Sequence, residues 1–93
     1  MSFAVNGMAE LIVQHTWKKE NAEAAFAVVQ SIVGMAQSGK LPPGYTLKSV
    51  NVVAGDNRAF CTWQAPSREA LEGLVGQVNP PTEHAVYEVQ KIF

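Results

Sequence analysis

Apolar and polar positions change period along the chain, and each change marks an element. Residues 9–17 alternate, with Ala9, Leu11, Val13, His15 and Trp17 on one side and Glu10, Gln14 and Thr16 on the other beside Ile12. A period of two with one apolar face predicts a half-buried strand. Lys18, Lys19 and Glu20 break the alternation, and Asn21 stands where it can cap a helix starting at Ala22, with Glu23 in the first turn. From there Ala25, Phe26, Val29, Ile32, Val33 and Ala36 recur at spacings of three and four, the stripe of an amphipathic helix, which Val28 and Met35 widen. Ser38 and Gly39 end it, glycine being free to take the left-handed conformation of a helix cap.

The second half repeats this plan without repeating the residues. Lys40 to Gly44, with Pro42 and Pro43, reads as a rigid connector, and residues 45–54 alternate again. Gly55, Asp56 and Asn57 tolerate positive φ and predict a turn into a strand over 59–64, rich in aromatic and β-branched residues. Pro66 stops that strand, Ser67 offers a capping oxygen, and Glu69 places negative charge in the first turn of a helix from Arg68 to about Val78. Leu71, Leu74, Val75 and Val78 form its apolar stripe, while Gly73 and Gly76 weaken it and predict close approach to the sheet or room for a ligand. Asn79, Pro80 and Pro81 stop the helix, and residues 83–93 make a last strand, with Ala85, Tyr87, Val89 and Phe93 alternating against Val86, Glu88, Gln90 and Ile92.

The order is strand, helix, strand, strand, helix, strand, an α+β arrangement of the ferredoxin-like βαββαβ type. It predicts a four-stranded antiparallel sheet with the first and third strands in the centre. Right-handed crossovers put both helices on one face. The other face would then carry Glu10, Ile12, Gln14, Phe60, Thr62, Val86, Glu88 and Ile92, too apolar to suit water and too polar for a dry core. Such a surface predicts a homodimer through the open sheet face, a dimeric α/β barrel.

Composition narrows the partners. With 93 residues the chain is long enough for one domain with a modest core, and residues 8–93 are assigned to it; residues 1–7 read as a flexible N-terminal extension. Hydrophobic residues make up 47% and charged residues 16%, which argues against a disordered segment, and a net charge of −1 gives no basic footprint for nucleic acid. No apolar run reaches the roughly 20 residues that cross a bilayer, and residues 1–7 lack the features of a secretory signal. The single cysteine allows no internal disulfide and no CxxC pair. These features predict a cytoplasmic protein with no membrane partner.

The candidate chemistry gathers at one rim. His15 ends the first strand and His84 begins the last, next to the Gly55-Asp56-Asn57-Arg58 turn. Neutral imidazole is a common metal ligand, and Gln14, Asp56, Glu83 or Cys61 would complete a coordination shell. Strand parity sets the two histidines on opposite faces, and a histidine at a strand end also serves as a hydrogen-bonded rim residue. Cys61, between Phe60 and Thr62 in a central strand, reads as a small buried hydrophobe more readily than as a reactive group. Trp17, Trp63 and Tyr87 either line an apolar ligand pocket between helices and sheet or fill the core. No phosphate loop, nucleophile elbow or HExxH pair occurs. That absence leaves a cofactor-free monooxygenase, which depends on pocket shape, as the enzymatic alternative to a binding protein.

The run Ala59-Phe60-Cys61-Thr62-Trp63-Gln64-Ala65-Pro66-Ser67-Arg68-Glu69-Ala70, followed by Pro81 and then Val86-Tyr87-Glu88-Val89, resembles the signature of a family of small, poorly characterised ferredoxin-like domains that includes a nickel-binding protein. The likeness covers the second half of the chain, and the first half only in plan. It implies a dimeric barrel and a transition metal, nickel or zinc, with His15 carried over by position and Cys61 after it. Gln14 stands where the family can place a second histidine, and His84 has no assigned counterpart there.

Overall fold

The computed structural model describes residues 8–78, 83–90 and 92. Its elements follow the predicted order: β1 (Ala9–Thr16), α1 (Ala22–Gln37), β2 (Thr46–Val53), β3 (Arg58–Ala65), α2 (Arg68–Val78) and β4 (Glu83–Glu88). The strands form one antiparallel sheet in the order β2-β3-β1-β4, with β1 and β3 central. This α+β architecture is compatible with a ferredoxin-like fold. The expectations for residues 1–7 and for Asn79, Pro80, Pro81 and Phe93 lie outside the described residues.

One register aligns the core. Leu11 pairs with Trp63, Val13 with Cys61 and Ala9 with Ala65 across the central strands, so these six side chains share a face. Ile32 of α1 and Leu71 and Val75 of α2 pack on that same face, which places both helices on one side of the sheet. Leu11, Val13, Cys61 and Leu71 are fully buried there. The intervening residues of β1 and β3 are half-buried on the opposite side, hence the strict alternation of both strands.

The caps were partly legible. Ser67 Oγ accepts a hydrogen bond from the Ala70 amide at 3.0 Å, the N-cap contact expected for α2. Gly39 has φ +71°; its amide donates to Ala36 O at 3.4 Å, and the Lys40 amide donates to Met35 O at 2.9 Å, a Schellman closure of α1. Asn21, by contrast, makes no side-chain cap bond. A 3-10 turn over Lys19–Asn21 leads into α1 instead, so the first amides have local carbonyl partners. The turn after β2 is a 3-10 turn over Ala54–Asp56, and Asn57 takes the left-handed conformation at φ 52°.

Three further expectations are corrected. Gly73 and Gly76 do not approach the sheet: both are exposed, and a Cβ at either would meet nothing within 4 Å. The last strand ends at Glu88 rather than continuing, although the Val89 amide still donates to Glu10 O at 2.9 Å. Its faces are also the reverse of the predicted ones. Val86 pairs with Val13 and is 4% exposed in the core, whereas Tyr87 pairs with Ile12 on the open face and is 51% exposed. Ala85, Val86 and Tyr87 are consecutive and all apolar, so alternation there has no polar phase to fix it. Glu88, opposite Leu11, moves to the helix face with Val86, and Ile92 lies beyond the strand, 90% exposed.

Among the described residues, no helix is long and apolar enough to cross a membrane.

Candidate functional site

The rim predicted from topology exists, with a geometry the parity argument had excluded. His15 lies directly across from His84 in the β1–β4 ladder and across from Ala59 in the β1–β3 ladder. The two imidazoles therefore share the helix face, not opposite faces, with ring centroids 6.4 Å apart and planes tilted by 50°. This correction follows from the reversed parity of β4. Ala59, 0% exposed, presents only a methyl group beside His15 and leaves space for the ring.

Their environments differ. Among the described residues His15 is the one buried polar residue of the core, 3% exposed, while His84 sits on an edge strand and is exposed. Burial, reinforced by the adjacent His84, pushes the His15 imidazole below its ordinary value of 6.5. It is consequently neutral at pH 7, the form that donates a lone pair to a metal. Two imidazoles on one tetrahedral ion, with metal–nitrogen bonds of about 2.0–2.1 Å, place their ring centroids about 5 Å apart. The observed 6.4 Å is longer than this.

Other proposed ligands are placed less favourably. Cys61 lies on the same face, next to Val13, but it is 1% exposed and burial pushes its thiol up to about 11. A thiol that stays protonated at neutral pH packs as a small hydrophobe. Gln14 pairs with Phe60 and Ala85, and Glu83 with Thr16, on the open face; Asp56 is exposed in the turn. Among the described residues no three His, Cys, Asp or Glu side chains converge.

Nor are Trp17, Trp63 and Tyr87 gathered around one pocket. Trp63 belongs to the main core and borders a cavity of about 20 Å³ with Ile32, Met35, Leu41, Leu74 and Val75. That is room for about one water. Trp17 forms a separate cluster with Ala25 and Ala59, capped edge-on by Phe26 at a centroid distance of 5.9 Å, which explains why Phe26 is 38% exposed despite its place in the apolar stripe. Tyr87 is on the other side of the sheet. The Trp17 amide donates to Asn57 O at 3.1 Å, tying the strand end to the turn, while its indole Nε1 and the Arg58 Nε are buried without a hydrogen-bond partner. The small residues at 22, 25 and 59 were the signal for this second cluster, since an indole packs flat only where its neighbours are short.

The open face is laced by polar contacts. Lys48 Nζ lies 3.1 Å from Glu10 Oε1, and Gln64 Nε2 donates to the same oxygen at 3.1 Å. A register shift between Leu47 and Ser49 brings Lys48 into reach. Further along the same face Ile12, Phe60 and Thr62 are half-buried, and Val53 and Tyr87 are exposed.

No family model, curated protein or solved structure matches the chain.

Proposed function

We propose that the chain is a small cytoplasmic binding protein without catalytic machinery, holding a transition metal ion, nickel or zinc, or a small molecule at the His15–His84 rim, and working as a homodimer. The observation that carries the reading is the cross-strand histidine pair: one imidazole buried and neutral, the other exposed, 6.4 Å apart on a common face. Nickel and zinc both accept imidazole nitrogen, and water would fill the remaining positions of such a two-nitrogen site. The resemblance of the second half to the family with a nickel-binding member points the same way.

The homodimer would pack sheet on sheet through the open face, as in a dimeric α/β barrel. Half-buried Ile12 and Phe60 with exposed Val53 and Tyr87 supply its apolar area. A monomer by light scattering at micromolar concentration refutes this arrangement. The monooxygenase alternative requires a substrate-sized cavity under the helices, and the space beside Trp63 holds only about 20 Å³.

Calorimetric titration with nickel, zinc and copper salts tests the metal reading. The expected result is saturable binding at no more than one ion per chain, abolished by both His15→Ala and His84→Ala. Absence of heat for all three salts removes it, and binding that survives both substitutions moves the site elsewhere.

A further inference from the structure

Among the described residues the sheet has two unpaired edges, and they are not alike. The outer edge of β2 is interrupted by the shift at Leu47/Ser49 and carries Lys48, two of the devices that keep strands from adding to an edge. The outer edge of β4 has neither. Its register with β1 runs unbroken from Leu11↔Glu88 to Thr16↔Glu83, and its sequence, Glu-His-Ala-Val-Tyr-Glu, contains no lysine and no proline. An open groove of about 500 Å³, lined by Arg68 and Glu72 of α2 and by His84, Ala85, Val86 and Tyr87, runs along it.

The ladder fixes which backbone groups this edge offers. The Val89 amide donates to Glu10 O, so in this register residues 83, 85, 87 and 89 turn their backbone groups toward β1. His84, Val86 and Glu88 turn theirs outward. We propose that this edge pairs with the same edge of a second copy, antiparallel about a two-fold axis at Val86, joining two sheets into one. In that register all three outward-facing residues form hydrogen-bonded pairs: Val86 with its own copy, and His84 with Glu88 of the second copy, twice. A slip of two residues in either direction leaves one of the three without a partner and removes the imidazole–carboxylate match. Self-complementarity of this kind is what a two-fold contact requires. The contact uses the strand edge alone, goes beyond the function proposed above, and leaves the open face unoccupied.

The pairing makes a register-specific prediction. Ala85 stands opposite Tyr87 of the second copy as a non-hydrogen-bonded pair, with Cα atoms about 4.5 Å apart, within the span of a disulfide. Ala85 is separated from its own copy, and Tyr87 from its own, by a diagonal of about 7–8 Å. Ala85→Cys and Tyr87→Cys chains, prepared separately and then mixed under mild oxidation by glutathione disulfide, should give a covalent dimer on a non-reducing gel. Each variant alone should give several-fold less, and the parent chain, whose Cys61 is buried, none. Circular dichroism checks that both variants fold. No covalent dimer in the mixture overturns the proposal, as does equal cross-linking in either variant alone, the pattern of a face contact or of random collision.

Discussion

The two faces of the sheet are built from alternate residues of the same strands, yet they do different work. Toward the helices, Leu11, Val13, Cys61 and Trp63 are sealed from water, and among the described residues the only buried polar side chain is His15. Toward the open side, Glu10, Ile12, Gln14, Phe60, Thr62 and Gln64 are half-buried, cross-linked by carboxylate, amide and ammonium rather than packed dry. The difference teaches that folding free energy is concentrated on one face. Neighbouring residues should therefore respond very differently to the same truncation.

Leu11 and Ile12 give the largest expected contrast. Leu11→Ala empties a site at 0% exposure and should cost about 2–5 kcal/mol, enough to unfold much of a small domain near physiological temperature. Ile12→Ala removes similar volume from a half-exposed position and should cost about 1 kcal/mol. Urea unfolding of both variants measures the contrast. Equal losses would mean that the open face is covered in solution, and the comparison between faces would then describe an isolated chain only.

His15 supplies the next contrast, because it is a buried imidazole on the sealed face. Its folded-state pKa lies below the unfolded value of about 6.5, so between the two the unfolded chain binds more protons. Stability is thus fully present above about pH 6.5 and falls as the pH drops toward the lowered folded value, with about 1.4 kcal/mol lost per unit of depression. Thermal midpoints between pH 8 and pH 5 should fall in the parent chain and fall less in His15→Gln. Identical profiles would show that the imidazole is not the group whose burial matters.

The outer surface of α2 reverses the sign. Gly73 and Gly76 are exposed, and a Cβ at either meets nothing, so no packing offsets their poor helix propensity. Gly73→Ala and Gly76→Ala should each stabilise the chain by about 1 kcal/mol. A loss instead would reveal a contact on this surface that the isolated chain lacks.

The contrast between the faces also explains what could be read from residues alone. In β1 and β3 burial alternates strictly and polarity follows it except at Ile12, His15 and Phe60, and the strand order, the central pair and most of the helical stripe followed. Gly39 and Ser67 announced their caps because each does one chemical job at one position. In β4, apolar Ala85, Val86 and Tyr87 follow one another, and nothing local says which of them faces the helices. That single ambiguity set His84 on the face opposite His15 and sent Tyr87 to a pocket it does not line. The exposure of Gly73 and Gly76 was equally unreadable, since a glycine carries no side chain whose polarity would report its surroundings.

Smallest of all should be the effect of the ion pair on the open face. Lys48 and Glu10 are 3.1 Å apart, but their side chains are 44% and 26% exposed, so water and salt screen the attraction and ordering a long lysine offsets part of it. Lys48→Ala should therefore change stability by less than about 1 kcal/mol, and the difference should shrink further in high salt. Gln64 still donates to Glu10 after the substitution, so the carboxylate is not left bare. What the substitution does remove is a positive charge at the register shift of β2, and with it part of that edge's protection against strand addition. Denaturant midpoints at low and high salt, read beside the sedimentation of the same variant, separate the two roles: unchanged stability with increased self-association assigns Lys48 to guarding the edge. A stability loss of several kcal/mol that salt does not reduce would instead place this pair among the groups that hold the fold, and the open face would no longer be the weaker one.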